Sequence, residues 1–575
     1  MKRLLAFVVI IAAMAFFSLS QIGASEERTV GLFLNGPGAL EGYTLFGPLN
    51  TGTTYLIDND GMAVHSWESE YTPGAATYLL ENGHLLRTAE LESEIFTAGG
   101  SGGRIEEFDW DGSLVWEYEY ATDRVFAHHD IAPLPNGNIL VLAWDRRTAG
   151  EAIAVGREPG LLEDGELWAE QVIEVQPTGS SGGEIVWEWS VWDHLVQDVS
   201  YQVPDFGNVA DHPELIDINY FDSGRPAGGE ADWLHANAID YNAERDEIMI
   251  SARHFNELWV IDHSTTTEEA ATHNGGDRGK GGDLLYRWGN PRAYGAGTDA
   301  DRTLFLQHNT QWIQPGLPGE GNILIFNNGA GRTPEEYSSV DEITPPMDEA
   351  GNYILPAHEP AGPQELTWTY EAPTRTDFYS SFISGAQRLS NGNTLIAAGA
   401  QGEIFEVMPD GEIVWRYVNP MIADGPLALG DPIPNRSNII FRAQRFEPDF
   451  PAFAEKELVP AGPLENEKGS STPTPTEGPE TPTTAPPTST AVPPTATAVP
   501  PTATPTGLAG DVDCNGIVNA IDGALVLQHT AGLVSSLACQ ENADLNGNGM
   551  IDSIDAVLIL QIVAGLFSGG QGPLT

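Results

Sequence analysis

Histidine and arginine recur at one place in a repeated pattern. His235 stands before the strand-like run ANAIDY, His308 opens HNTQWI, and the pair His128 and His129 sits inside AHHDIAPL. Arg253 and His254 close ISARH, and Arg332 ends IFNNGAGR, so that His308 and Arg332 fall on the two strands of one expected hairpin. Each histidine precedes a hairpin turn at a matching place. Arginine offers a planar fork of donors to an oxyanion, and histidine donates hydrogen bonds or exchanges a proton near neutral pH. Together they could hold the peripheral oxygens of a sulfuryl group while a phenolate leaves, one histidine acting as nucleophile and another as acid. No compact HxH or HExxH spacing marks the same histidines as a transition-metal site.

Residues this far apart need a repeat to bring them together. The stretch WLHANAIDYNAERDEIMISARHFNELWVID from Trp233 reads as two antiparallel strands and part of a third, with a polar turn from Asn242 to Asp246. Its plan recurs as AHHDIAPLPNGNILVLAW from Ala127, LQHNTQWIQPGLPGEGNILIFNNG from Leu306, FISGAQRLSNGNTLIAAG from Phe382 and, more loosely, TPGAATYLLENGHLLRTAE from Thr72. A Gly/Asn turn in each supplies the positive φ of a tight hairpin. Six closing strands carry an aromatic signature: GMAVHSW, GSLVWEY, GEIVWEW, GDLLYRW, QELTWTY and GEIVWRY. Four-stranded repeats of this kind are propeller blades, and the spacing is uneven because loops are inserted. The expectation is an all-β six-bladed β-propeller over 30–455; a large β-sandwich is the competing reading. In a propeller the innermost strands face one axis, so His128 or His129, His235 and His308 would converge, with Arg332 or Arg253 nearby.

Lys2 and Arg3, an apolar run from Leu4 to Phe17 and small residues to Ala24 read as a secretory signal peptide, 1–24. That run is short for a membrane span, so no membrane insertion is expected after cleavage. Asp and Glu number 82 against 26 Lys and Arg, a net charge of -56, which excludes nucleic acid and anionic membranes as partners. An anionic substrate would therefore need a local cluster of cations. Only two cysteines occur, both near the C-terminus, so the large domain is no disulfide scaffold. Residues 461–507 are a Pro/Thr-rich extended spacer between two domains.

The opening GYTLFGPLNTGTTYLIDNDGMAVHSW, the internal SARHFNELWVID, LQHNTQWI and IFNNGAGR, and the closing SGAQRLSNGNTLIAAGAQGEIFEVMPDGEIVWRYVNP resemble the bacterial arylsulfotransferase family. The resemblance implies a six-bladed propeller that moves a sulfuryl group from an aryl sulfate donor to a phenolic acceptor, without a nucleotide or other cofactor, using histidines and an arginine in a central funnel. His235 matches the family's first funnel histidine, His308 the second and Arg332 the arginine; His128, His129, Arg253 and His254 are weaker candidates that rest on their place in the repeat alone. The family's covalent sulfate acceptor is a further histidine, and FYSSFISGAQRL, the later strand where it would fall, has none. The alternative is a non-catalytic propeller binding an anionic or aromatic ligand, such as a polysaccharide or a phenolic wall component.

Beyond the spacer, DVDCNGIVNAID from Asp511 and DLNGNGMIDSID from Asp544 each place oxygens at loop positions 1, 3, 5, 9 and 12 and Gly at 6, the logic of an EF-hand Ca²⁺ loop. Each precedes an apolar helix ending in AGL, and position 12 is Asp where an ordinary EF-hand has Glu. This duplicated loop-helix resembles the type I dockerin family over 510–566. The resemblance implies one Ca²⁺ on Asp511, Asp513, Asn515, Asn519 and Asp522 and another on Asp544, Asn546, Asn548, Asp552 and Asp555, with the carbonyls of Ile517 and Met550. It also implies a cohesin partner on a scaffold or cell-surface protein, facing Ala520-Ile521 and Ser553-Ile554. The expected protein is secreted, extracellular or cell-surface-attached through that cohesin. Cys514 and Cys539 form an even pair expected to be a disulfide, though spacing does not prove connectivity.

Overall fold

In a computed structural model the described residues are 28–162, 164–221 and 231–467 and, further on, 510, 512, 514, 518, 520–530, 534, 537–543, 545, 551, 555, 556, 558 and 559. The chain divides into two compact units, Met1–Thr474 and Pro475–Thr575. The expected signal peptide and the greater part of the expected spacer lie outside the described residues.

The first unit is an all-β, propeller-like arrangement of antiparallel sheets. Ala236–Asn242, Glu247–Ala252, Glu257–Asp262 and Tyr286–Trp288 form one sheet in that order, and His308–Trp312, Ile323–Asn327, Ser339–Ile343 and Trp368–Tyr370 another. Gly385–Arg388, Thr394–Ala398, Glu403–Val407 and Ile413–Val418 form a third, to whose edge the N-terminal strand Gly31–Asn35 adds. The late strand Ile440–Phe446 pairs with Tyr43–Pro48, which continues into Thr53–Asp58 and Met62–Glu68. Both ends of the unit are thus paired into sheets begun by the other end. An eight-stranded sheet joins the meanders of Pro73–Leu79 and Val125–Pro133 through one parallel pair, Ala75 with His129. Gly462–Pro463 pairs with Met62–Glu68, which carries ordered chain past Ala461, where composition places the start of the spacer.

The local chemistry of the repeat is the same at each hairpin. In LPNGN the Leu134 N–H reaches Asn138 O at 2.8 Å and Gly137 N–H reaches Leu134 O at 3.0 Å, with Gly137 at φ +88°. LSNGN repeats this with Gly392 at φ +89°. A left-handed residue there is cheap only for glycine.

The aromatic signature of the closing strands has a single structural role. One tryptophan of each closing strand donates its indole N–H to a backbone carbonyl in the next repeat: Trp67 to Asp109, Trp116 to Gly182, Trp189 to Gly282, Trp288 to Pro363, Trp368 to Pro409 and Trp415 to Asn59, at 2.8 to 3.0 Å. The last bond returns to the first repeat. Indoles bury large apolar area but need a partner for their N–H, and these contacts supply both between neighbouring repeats.

The second unit contains the helix Ala520–Thr530 and a small core of Val512, Val526, Leu537, Ala543, Ala556 and Ile559. Cys514 and Cys539 form a disulfide, with Cα atoms 5.6 Å apart. Of the expected Ca²⁺ ligands, Asp522 and Asp555 are described and fully buried. Each accepts a backbone N–H from its own loop, from Val512 and from Leu545, at 2.9 Å in both cases. Asp511, Asp513, Asn515, Ile517, Asn519, Asp544, Asn546, Asn548, Met550 and Asp552 lie outside the described residues, as does much of the second expected helix.

Candidate active site

The innermost strands do not run straight past the axis. Val125–Pro133 slips register against Ile139–Thr148, Ala236–Asn242 against Glu247–Ala252, and His308–Trp312 against Ile323–Asn327. At or just before these irregularities stand non-glycine residues at positive φ: His129 at 51°, His235 at 50° and Asn309 at 48°. A bulge re-aims the side chains beside it, and a left-handed backbone costs on the order of 1–3 kcal/mol that the surrounding sheet must hold.

The result is a cavity of about 530 Å³ lined by His129, His235, Arg253 and His308, with Gly100, Ile383 and Phe441. A second cavity of about 530 Å³ shares His235 and Arg253 and adds Asp232, His254 and Trp168. Gly100 is required by the first. A Cβ there would lie 2.1 Å from His129 Nε2.

Each ring is held by a defined partner. His128 Nε2 is 2.8 Å from Glu170 Oε2, and its Nδ1 is 2.8 Å from His129 Nδ1. The carboxylate takes the Nε2–H of His128. With one proton per ring, His129 Nδ1 then donates and its Nε2 lone pair is left toward the cavity. Trp144 stacks on His128 with centroids 4.1 Å apart. His235 donates from Nδ1 to Asp232. Its ring lies 4.6 Å from that of His129 and 4.7 Å from that of His254. Arg253 Nη1 donates to His254 Nε2 at 2.9 Å, so His254 carries its proton on Nδ1, where it meets Asp232 O at 3.1 Å.

His308 is the most tightly specified. Its Nδ1 is 2.7 Å from Asn328 Oδ1, and the Asn328 amide donates to Ser380 O at 2.7 Å and Ile383 O at 2.9 Å. Those bonds orient the amide, so Oδ1 can only accept and His308 must protonate at Nδ1. Nε2 therefore carries the lone pair, which the N–H of Ile383 meets at 3.1 Å. Burial, then the nearby Arg253 guanidinium, holds the His308 imidazole well below its ordinary pKa. Burial, followed by the charges of His235, His128, His308 and Arg253, does the same to His129. Both are neutral at pH 7.

His235 and His308 thus reach one cavity, together with His129 and Arg253, which the sequence pattern had placed second. Arg253 ends no strand: it opens a 3₁₀ turn, Arg253–Phe255, that carries it to the cavity wall. Arg332 lies elsewhere. The strand that the pattern extends to it ends at Asn327, and Arg332 sits in the following turn, its guanidinium 4.1 Å from the Tyr337 ring and 5.1 Å from that of Phe305, with Nη2 3.3 Å from Ser339 Oγ. It is not among the residues lining either cavity. The pattern missed the partners Asp232, Glu170 and Asn328; only Asp232, three residues before His235, carried a local signal.

A family model described as arylsulfotransferase (ASST) matches residues 47–415. The chain belongs to the arylsulfotransferase family. A second model, the type I dockerin domain, matches residues 509–563, so this arylsulfotransferase-family chain also carries a dockerin. It is 23% identical over 379 residues to arylsulfate sulfotransferase AssT of Escherichia coli O6:H1, covering 62% of this chain and 58% of the relative. The AssT of Lelliottia amnigena is likewise 23% identical over 378 residues, with the same coverages. The chain therefore spans under two thirds of the length of the curated relatives it matches. A solved complex of the third cohesin of ScaC with the ScaB dockerin from Acetivibrio cellulolyticus matches 11% of this chain and 90% of its own, at 36% identity and a TM-score of 0.11.

Proposed function

We propose that this protein transfers a sulfuryl group from an aryl sulfate to a phenol in the cavity of His129, His235, Arg253 and His308. The observation that carries the reading is the convergence of three imidazoles and one guanidinium on one cavity from three sheets, His235 and Arg253 coming from the same one. His308 is the nucleophile: its tautomer leaves Nε2 unprotonated, and burial with Arg253 keeps it so. To attack, Nε2 exchanges the Ile383 N–H for the sulfur of the donor. An N–S bond forms, the aryl O–S bond breaks, and the phenolate takes the Nε2 proton of a His235 that enters the step doubly protonated, its Nδ1–H still held by Asp232. His235 then accepts the proton of the incoming phenol as its oxygen displaces His308 from sulfur. Arg253 holds the sulfuryl oxygens throughout, where fixed donors act most strongly in a site that excludes water. Asp232 orients His235, as the buried carboxylate does in a catalytic triad.

We read the eight-stranded sheet as two blades that meet at the Ala75 and His129 pair, which makes six with the four sheets of four or five strands. The ring of six tryptophan bonds supports that count. The boundaries 30–455 for the propeller and 510–566 for the dockerin belong to the same proposal, with the pairing of Gly462–Pro463 and Met62–Glu68 carrying the first unit past 455.

The dockerin would hold Ca²⁺ on its two loops. The buried carboxylates of Asp522 and Asp555, at equivalent places, are hard oxygen donors of the kind that ion takes. With residues 1–24 as the export signal, the protein would work outside the cell, tethered through a cohesin. Among the described residues no helix is long and apolar enough to cross a membrane. Release of p-nitrophenol from p-nitrophenyl sulfate, dependent on added phenol, tests the activity; Ca²⁺-dependent capture by a cohesin panel tests the tether.

A further inference from the structure

Away from the cavity, on the outer side of two neighbouring sheets, a second group of histidines converges. His194 follows the 3₁₀ turn Val191–Asp193, His273 lies in the loop after Thr267–Ala270, and Asp283 precedes Tyr286–Trp288. Sequence spacing could not show this, because His194 and Asp283 are 89 residues apart. His194 is completely buried, Asp283 nearly so, and His273 is exposed.

The hydrogen bonds of His194 leave one of its contacts unexplained. Its Nε2 is 2.8 Å from Ala270 O, and a carbonyl only accepts, so Nε2 carries the proton. A ring with one proton then turns a bare Nδ1 lone pair toward Asp283 Oδ1, 2.8 Å away. Two acceptors at that separation repel unless a second ring proton joins them or a bound cation ligates both. His273 brings a second imidazole nitrogen, Nδ1, to 2.8 Å from the same oxygen. The three donor atoms lie within 4.8 Å of one another, and Asp283 Oδ1 is closer to each imidazole nitrogen than the roughly 3 to 3.5 Å that bonds of ~2.0–2.2 Å set between ligands of a tetrahedral site, so the carboxylate would draw back slightly on binding.

The surroundings are those of a built site. Donation of the far ring nitrogen to a backbone carbonyl is the usual support of a metal-bound histidine. Trp189 lies parallel to the His194 ring at 5.7 Å. Gly282 lets the chain close over it, since a Cβ there would lie 2.5 Å from His194 Nε2 and 2.1 Å from Ala270 O. One side stays open to a cavity of about 370 Å³ that His273 and Asp283 line with Asp205, His212 and Glu214.

We propose that His194, His273 and Asp283 bind a borderline divalent transition metal such as Zn²⁺, with the fourth position open to that cavity. Two imidazoles and one carboxylate suit such an ion better than Ca²⁺ or Mg²⁺, which prefer oxygen throughout. The site is independent of sulfuryl transfer and of the dockerin loops.

The test strips the full-length protein with chelator and titrates it with Co²⁺ alone. Imidazole-bound Co²⁺ in a four- or five-coordinate site absorbs strongly in the visible, whereas the all-oxygen dockerin loops would give only faint absorption. We expect a band that saturates at one equivalent, is displaced by Zn²⁺, and is lost in both His273→Ala and Asp283→Asn. The His273 side chain is 57% exposed, so its removal leaves the fold intact. His235→Ala should keep the band, which separates this site from the Asp232, His235 and His254 group of the first cavity. A wild type without the band, as a doubly protonated His194 paired with Asp283 would give, overturns the proposal. So does a band that survives both substitutions.

Discussion

The rings of His129 and His235 meet edge to face, 4.6 Å between centroids, although they belong to different sheets. Behind them stand two carboxylates, Glu170 reaching His129 through His128 and Asp232 reaching His235 directly. The pair therefore offers one neutral nitrogen and one proton-handling nitrogen side by side, with His308 and Arg253 on the same cavity wall.

Arg253 and Arg332 should separate cleanly. Arg253→Lys keeps a charge at the cavity but loses the two-pronged geometry, and kcat/KM should fall by the equivalent of about 1.5–3 kcal/mol. Arg332→Lys, removed from the cavity lining and stacked on Tyr337, should leave kcat/KM within a factor of about 3, for want of any transition-state contact to lose. Steady-state rates with p-nitrophenyl sulfate check both.

Asp232→Asn replaces the charged carboxylate that orients His235 with a neutral amide, which no longer supports a proton on both ring nitrogens. The rate should drop on the order of 10²–10³-fold, the share a positioned acid or base supplies. A phenyl sulfate donor should suffer more than a p-nitrophenyl sulfate donor, since the poorer leaving group depends more on the proton from His235. An equal loss for both donors would assign Asp232 to structure alone.

How far the site was legible in the sequence turns on these residues. The strand-turn-strand plan and its Gly/Asn turns are local, and period and turn chemistry disclosed them. Which of His128 and His129 faces the axis is not local: the bulge opposite Leu142 and the φ of +51° at His129 decide it. Arg253 and Arg332 look alike on paper, each after an apolar strand, and only the turn that follows sends one to the cavity and the other onto Tyr337. The tryptophans were visible as a repeat, but the carbonyl each one binds belongs to the next repeat, so their role appears only in three dimensions.

The pH dependence follows from burial. The His308 pKa is lowered, so its nucleophilic form is present above the ordinary value of about 6.5 and persists as pH falls below it. The acid limb of kcat/KM should therefore fall well under pH 6.5. A limb centred at or above 6.5 would contradict the buried, neutral ring.

Trp189→Phe should destabilise the first unit without touching the cavity. It keeps most of the buried area but leaves Gly282 O without its indole donor, a cost of about 1–3 kcal/mol. The first unit's thermal transition should move down, while kcat at a temperature where both proteins are folded stays unchanged.

Removing Ca²⁺ should unfold the C-terminal unit and leave the first intact, because loops that gather carboxylates around a cation couple binding to folding. Calorimetry with and without excess chelator reads this directly; transitions that all stay in place would count against Ca²⁺ in the loops.

The most direct test of the account is to trap the covalent intermediate. Enzyme mixed with p-nitrophenyl sulfate and no acceptor, quenched at alkaline pH where a sulfated imidazole survives, should yield a peptide containing His308 heavier by one SO₃, and His308→Ala should yield none. Turnover in which the added group sits on a peptide containing His129 or His235, or on none, would contradict it.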